Sequence, residues 1–343
     1  MQKIDLLGCT KEEIKDFVTV KLKEKEYRTK QIVHWIYKKR VTDIINFTDL
    51  PAGLRDKLTH LVQIGSLQLI SKEISQLDGT TRYNFKTQDN YIVSCVYIPK
   101  LERKVVCIST QIGCSVGCVF CHSGKMYFVR NLTTGEIVEQ VYAVRKDVGE
   151  INGILYMGMG EPLLNYDNVV KSIKIFLDTD MFAMSKRRIT VSTVGVVPNI
   201  YRLADEKLGV KLAISLHSYN DEQRKWLVKR LKFKLNEILE AGVYYAEVTK
   251  TKFTIEYVLI GEINDSEEHA KFLVKLLDKL PKIRKFVKIN LIPYNTIPEE
   301  KFIQSKLDTI EKFKQILVTN GYLTFIRKPY GNDINAACGQ LGF

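Results

Sequence analysis

The chain has 343 residues, 45% apolar and 27% charged, enough apolar material to bury a sizeable core without disulfide staples. No apolar run approaches the ~20 residues that a membrane-crossing helix needs. The start, Met1 to Asp5, carries no apolar leader, so a cytoplasmic protein with no membrane partner is expected. The net charge of +13 points to a polyanionic partner, or else to a generally basic composition. Seven cysteines (Cys9, Cys95, Cys107, Cys114, Cys118, Cys121 and Cys338), an odd number with three packed into 114–121, exclude a secreted disulfide framework and point to metal or redox chemistry.

Along the chain, Ile14, Phe17, Val18 and Leu22 fall at helical spacing, as do Ile32, Val33, Ile36 and Tyr37. Leu50-Pro51 opens a third helical pattern through Leu54, Leu58 and Leu61. Residues 1–80 therefore read as a small basic helical domain, serving as an RNA contact, as a packing cap, or as both. From residue 81 the pattern changes. Tyr91–Ile98 is strand-like and stops at Pro99. Apolar runs at 105–109, 153–157, 188–194, 210–216, 253–259, 286–291 and 322–326 then alternate with helical stretches near 134–147, 166–178, 197–206, 221–241, 266–279 and 304–319. Repeated strand–helix units predict a parallel sheet covered by helices, curved into a full or partial barrel over 81–343, with chemistry at the C-terminal strand ends.

Cys114-Ser-Val-Gly-Cys118-Val-Phe-Cys121 follows the first of these strands. Three thiolates at this spacing fit three corners of a cubane iron–sulfur cluster and leave one iron open for a substrate group. A structural zinc site is the alternative, but it wants four ligands, and His122, adjacent to Cys121, is badly placed to close the same tetrahedron. Met157-Gly-Met-Gly-Glu161-Pro162 ends the second strand, where glycines allow close backbone approach and Glu161 offers an acceptor for an ammonium group. Ser192-Thr193, Ser215-Leu216-His217-Ser218 and Pro293-Tyr-Asn295 end later strands. Singly each reads as a cap or turn; together they read as one pocket. Asn335-Ala-Ala-Cys338-Gly-Gln-Leu341 puts a lone cysteine among small residues near the chain end, where it is expected to be accessible. Cys107 sits in the strand before the triplet, so the two could meet over the same pocket.

These motifs, together with Tyr97-Ile-Pro99, Cys107-Ile-Ser-Thr-Gln-Ile-Gly-Cys114, Arg130-Asn-Leu-Thr133, Ser185-Lys-Arg-Arg188 and Ile289-Asn-Leu-Ile-Pro293, resemble the RlmN/Cfr family of radical S-adenosylmethionine (SAM) RNA adenine methyltransferases. The resemblance runs from about Tyr97 to the C-terminus and more loosely over the N-terminal domain. It implies an α/β fold, a partial TIM-like radical SAM barrel with a small N-terminal helical domain. It implies a [4Fe-4S] cluster on Cys114, Cys118 and Cys121, and SAM on Gly160, Glu161, Ser192, Ser215, Leu216, His217 and Asn295, with Met157 near the cysteines. By the same resemblance Cys338 carries a methyl group taken from a first SAM, and a second SAM supplies the radical that activates it. The carbon then bonds to the adenine, and Cys107 releases the product, leaving a Cys107–Cys338 disulfide. An external electron donor such as flavodoxin or ferredoxin, a monomeric state, and 23S rRNA and tRNA as partners are implied likewise.

Glu161-Pro-Leu-Leu-Asn165, Phe128-Val-Arg-Asn131 and Leu291-Ile-Pro-Tyr-Asn295 look more like the branch that methylates adenine carbon 2 of 23S rRNA and of tRNA 3′ of the anticodon than the carbon-8 resistance branch. Three departures from the family pattern stand out. Ser94 occupies the place of a glutamate proposed as the base for the ring proton, and a neutral serine is a poor base. His122-Ser-Gly124 replaces Ala-Thr-Gly, and Lys229-Arg-Leu-Lys-Phe233 replaces a Pro-x-Asn segment. Two rival readings remain: a non-catalytic iron–sulfur RNA-binding protein, supported by Ser94, and a radical SAM enzyme acting on a small molecule. Cys107, Cys338 and the basic helical domain weigh against them.

Overall fold

A computed structural model describes residues 3–99, 103–231, 233–297 and 301–342. The N-terminal unit consists of β1 (Ile4–Asp5), α1 (Lys11–Asp16), α2 (Tyr27–Val33), α3 (Ala52–Leu61) and β2 (Val62–Gln63), with β1 and β2 paired in parallel. A Thr10/Glu13 capping box starts α1. Both α1 and α2 run on into wide turns, closed by Leu22 N–H to Phe17 O and Lys39 N–H to His34 O, each at 3.0 Å. Ile14, Val18, Ile32, Ile36, Leu54 and Leu58 are buried, as the helical spacing predicts. Tyr37 meets Tyr142 and Phe182 edge-on at 6.5 and 5.3 Å, so this unit shares one apolar core with the main body.

The main sheet starts with β3 (Gln68–Ile74), β4 (Thr81–Lys86), β5 (Ile92–Pro99) and β6 (Lys104–Cys107), all antiparallel. Strand β3 lies before residue 80 and is exposed along its whole length, so it shows no apolar alternation. Two short strands, β7 (Gln111–Ile112) and β8 (Arg130–Asn131), pair with each other outside this sheet. From β6 the sheet continues in parallel through β9 (Gly153–Tyr156), β10 (Ile189–Thr193), β11 (Lys211–Ser215), β12 (Phe253–Leu259), β13 (Val287–Pro293) and β14 (Thr324–Ile326). The connections carry α4 (His122–Lys125), α5 (Thr134–Val148), α6 (Tyr166–Leu177), α7 (Val197–Asp205), α8 (Asp221–Leu227), α9 (Leu235–Thr249), α10 (Glu267–Asp278), α11 (Ile283–Phe286) and α12 (Leu307–Thr319). Strands β3 and β14 are free edges, so the parallel strands form a partial barrel, as expected.

Two local features position the site. The predicted 221–241 helix is broken, because the chain leaves α8 at Val228 to bridge Cys118 of the cysteine loop. The Arg130–Thr133 motif starts α5: Thr133 and Glu136 form a capping box, and Arg130 pairs with Glu136 at 2.8 Å and Asp89 at 2.7 Å. No helix among the described residues is long and apolar enough to cross a membrane.

Candidate active site

Cys114, Cys118 and Cys121 all face one cavity at the C-terminal ends of the parallel strands. Burial pushes the Cys114 thiol up to about 12 and Cys118 well above its ordinary value; Cys121 raises both further, and Cys114 also raises Cys118. A thiolate here therefore needs a cation. Backbone N–H groups of Val116 and Gly117 point at the Cys114 sulfur, and those of Ser123 and Gly124 at Cys121. Buried thiols ringed by amide donors fit an iron–sulfur cluster, whose sulfurs are tuned by such hydrogen bonds. Among the described residues no three His, Cys, Asp or Glu side chains close around a single ion. A cubane takes its thiolates at separate corners and does not require that convergence.

Gly160, Glu161, Ser192, Thr193, Ser215 and His217 line the same cavity. Gly160 has φ +95°, and a Cβ there would lie 2.5 Å from Gln111 Cβ, so only glycine fits. The Glu161 carboxylate accepts N–H bonds from Leu163 at 3.0 Å and Val194 at 2.9 Å. Burial outweighs these bonds and lifts its pKa to about 7; an ammonium group in the cavity would restore the charge. Burial holds the His217 pKa down at about 3. Its Nδ1 accepts the Val258 N–H at 3.0 Å, which assigns the proton to Nε2 and makes the ring a neutral donor. Leu216 stands apart. It packs in the apolar core and lines neither this cavity nor its neighbour, its N–H goes to Glu256 O at 3.0 Å, and its carbonyl accepts from Arg224 Nε at 3.2 Å.

An adjoining chamber shares Cys121, Met157, Arg327 and Cys338 with the first and adds Cys107 and Asn295. Cys338 is exposed and Cys107 buried, and burial together with the nearby Cys338 pushes the Cys107 thiol up to about 12. The terminal segment is tied down on several sides. Asn295 Nδ2 donates to Cys338 O at 3.0 Å, and Gln340 Nε2 donates to Thr296 O at 2.9 Å. His122 N–H donates to Gly339 O at 2.8 Å, and the Ser123 hydroxyl donates to Leu341 O. Residues 122 and 123 thus help anchor the tail that carries Cys338, through a backbone N–H and a hydroxyl that an Ala-Thr pair would also supply. Gly342 packs flat on the His122 ring, where any Cβ would collide at 1.8 Å.

Two residues of the site were not singled out from the sequence. Arg327 follows β14 and reaches Glu256 Oε2 at 3.3 Å and Met157 Sδ at 3.6 Å. Glu256 is buried in β12 and also accepts from Asn290 at 2.9 Å. Burial works against the charge on Arg327, but Cys338, Glu256 and Cys107 outweigh it and raise the guanidinium pKa. The strand-end rule that found Ser192 and Asn295 would have found Arg327 had it been applied to the last strand. Ser94 is fully buried, gives its hydroxyl to Asn84 Oδ1 at 2.6 Å, and lines neither chamber.

The strand order and the cysteine-lined cavity define a radical SAM enzyme, and residues 108–273 match the radical SAM superfamily. Residues 4–64 match the ribosomal RNA large subunit methyltransferase N-terminal domain. The chain is 44% identical over 322 residues to a probable dual-specificity RNA methyltransferase RlmN of Endomicrobium trichonymphae, covering 93% of this chain and 92% of that one. It is 42% identical over 352 residues to the dual-specificity RNA methyltransferase RlmN of Wigglesworthia glossinidia brevipalpis, covering 99% and 90%. A crystal structure of a radical SAM methyltransferase from Sphaerobacter thermophilus superposes with a TM-score of 0.92 at 37% identity, over 98% of both chains. The chain belongs to the RlmN family of radical SAM RNA methyltransferases.

Proposed function

We propose that this enzyme methylates adenine carbon 2 in 23S rRNA and in tRNA, 3′ of the anticodon, through a methyl group carried on Cys338. The observation that carries the reading is that Cys338 and Cys107 face one chamber beside Arg327, directly against the cavity lined by the three clustered cysteines. Cys114, Cys118 and Cys121 would hold the [4Fe-4S] cluster. Gly160, Glu161, Ser192, Ser215 and His217 would hold SAM, Glu161 meeting its ammonium group, with Leu216 and Asn295 acting through the backbone and tail they fix. When bound, SAM and the reduced cluster supply a methyl group and, from a second SAM, a carbon-centred radical.

Cys338 gives up its thiol proton and takes the methyl group on sulfur. After one hydrogen atom is removed from that methyl, its carbon bonds to adenine carbon 2; the adduct then gives up one electron, returned by way of the cluster that Cys114, Cys118 and Cys121 would hold, and the carbon-2 hydrogen leaves as a proton, so the rearomatised base is held to Cys338 by an S–CH₂ bridge. Cys107, as thiolate, attacks the Cys338 sulfur. The S–S bond forms, the S–CH₂ bond breaks, and the released carbon takes a proton to become the methyl group. Arg327 favours the thiolate that this attack needs. The adenine must leave its stack to enter, at a cost of roughly a few kcal/mol, which phosphate contacts by the basic N-terminal unit offset. RNA substrates of this kind place the enzyme in the cytoplasm, with an external one-electron donor.

Anaerobically reconstituted protein, given SAM, a reductant and unmodified 23S rRNA fragment or tRNA, is expected to yield 2-methyladenosine on digestion and mass spectrometry. One S-adenosylhomocysteine and one 5′-deoxyadenosine should form per methyl. Cys338→Ala should abolish the product, and Cys107→Ala should trap RNA on the protein as a retarded band on a denaturing gel. The carbon-8 isomer, or no methylated adenosine from protein with an intact cluster, would overturn the reading.

A further inference from the structure

Residues 227–230, at the start of the stretch where the sequence departs from its family, lie directly on the cysteine loop. Val228 bridges Cys118, Arg230 N–H donates to Val116 O at 3.0 Å, and Val119 N–H donates to Leu227 O at 3.1 Å. Gly117, between two cluster cysteines, has φ +72°, and the Arg230 side chain lies beside it: a Cβ at Gly117 would be in ordinary contact with Arg230 Nε at 3.4 Å. Lys225, Lys229, Arg230 and Lys234 are all exposed, and none makes an ion pair with a described residue. Three carboxylates lie nearby and offset part of this charge: Asp221, which accepts Leu235 N–H at 2.8 Å, Glu222 beside it on α8, and Glu237 on α9, which accepts Lys234 N–H at 2.7 Å. Trp226 stands half exposed among these cations, edge-on to Phe302 at 5.9 Å.

Lys225, Lys229, Leu231, Phe233 and Lys234 line a surface hollow that shares no residue with either chamber of the site. The cysteine loop lies between the two, its sulfurs facing the cavity and its backbone bonded to the basic segment. The chamber holding Cys107 and Cys338 is where an adenine must enter, so RNA and SAM occupy that side. An electron must then reach the cluster from the other side. Transfer falls steeply with distance, and on that side the basic segment is bonded directly to the loop that carries the three cysteines.

We propose that Lys225, Lys229, Arg230 and Lys234 form the docking surface for a small acidic one-electron carrier protein. The carrier docks by charge complementarity around Trp226 and loses one electron; the cluster gains it, and no atom is transferred. This rests on the cluster assignment made above. Opposite charge on the two surfaces steers encounter, and the effect weakens with salt because the screening length is about 10 Å at 0.1 M.

The test uses full-length reconstituted protein and the double variant Lys225→Glu/Lys229→Glu, matched for iron content. Cluster reduction is followed by visible absorbance, without RNA or SAM, with either reduced flavodoxin or dithionite. With flavodoxin the variant should be slower by about tenfold or more at low ionic strength, a gap that closes as salt rises. With dithionite the two proteins should reduce alike, and RNA affinity should be unchanged. Equal flavodoxin rates in parent and variant would overturn the proposal. So would weakened RNA binding with unchanged reduction, which would make the patch an RNA contact. If the charge-reversed protein fails to take up iron, Lys225→Gln/Lys229→Gln carries the same expectation at smaller amplitude. Absence of methylation by parent protein with dithionite would count against the proposed function instead, and leaves the reduction kinetics readable.

Discussion

Arg327 shows how one side chain sets the chemistry of two others. It emerges at the end of β14, is held by Glu256 at 3.3 Å, and stands beside both Cys107 and Cys338. Its positive charge opposes the burial that pushes the Cys107 thiol up to about 12. Replacing it by glutamine keeps a hydrogen-bonding group and removes the charge, so the Cys107 pKa rises. In Arg327→Gln, alkylation of Cys107, followed by mass spectrometry across pH, is therefore expected to begin at higher pH than in the parent. Methylation turnover should fall by about tenfold, the change in thiolate population that a rise of about one unit in the Cys107 pKa would bring. An unchanged alkylation profile would assign Arg327 to packing alone. Ser94 carries the opposite lesson. Its hydroxyl is committed to Asn84, so the sequence position that raised the question of a proton acceptor does not face the chamber.

At the scale of elements, α5 ties the N-terminal unit to the sheet. Glu139 on α5 accepts the backbone N–H groups of Ser66 at 2.6 Å and Leu67 at 2.8 Å on a single oxygen. Burial, the larger effect, raises its pKa to about 7 despite those bonds. The folded state thus holds a proton that the unfolded chain, titrating near 4.5, has lost. Stability from this group is present below about 4.5 and falls as pH rises to about 7. Glu139→Gln keeps the accepting oxygen and removes the titration. Thermal unfolding of the apoprotein should show Glu139→Gln more stable than the parent at pH 8, by up to about 3 kcal/mol, with the gap closing towards pH 5. A parallel offset at all pH values would mean that the carboxyl is not the titrating group. The same scale accounts for the broken 221–241 helix. Its apolar spacing was legible, but the break at Val228 comes from pairing with Cys118, more than a hundred residues earlier, which no local pattern records.

For the molecule as a whole, the net charge of +13 acquires a distribution. Lys21, Lys25, Lys30 and Lys39 of the N-terminal unit are exposed, while its apolar face is sealed onto α5 and the segment that follows α6 through Tyr37, Tyr142 and Phe182. The RNA contact proposed for that unit would therefore be fixed relative to the chamber. RNA affinity is expected to fall linearly with salt on logarithmic axes, as counterion release requires. Lys25→Gln/Lys39→Gln should flatten the slope by about 0.9 for each duplex phosphate no longer neutralised, with SAM cleavage in the absence of RNA unaffected. Binding titrations across salt check this, and an unaltered slope would remove these lysines from the RNA surface. The cysteine loop, the alternation of strand and helix, the polar strand ends and the terminal thiol are legible in the amino-acid order, because each is carried by spacing within a short window of chain. Folding alone brings Arg327 and Glu256 beside the two thiols, lets residues 122 and 123 anchor the tail, and lays a basic segment against Gly117. Those are contacts between residues far apart in the chain, set by which strand ends the curved sheet brings together, and a linear pattern holds no signal for them.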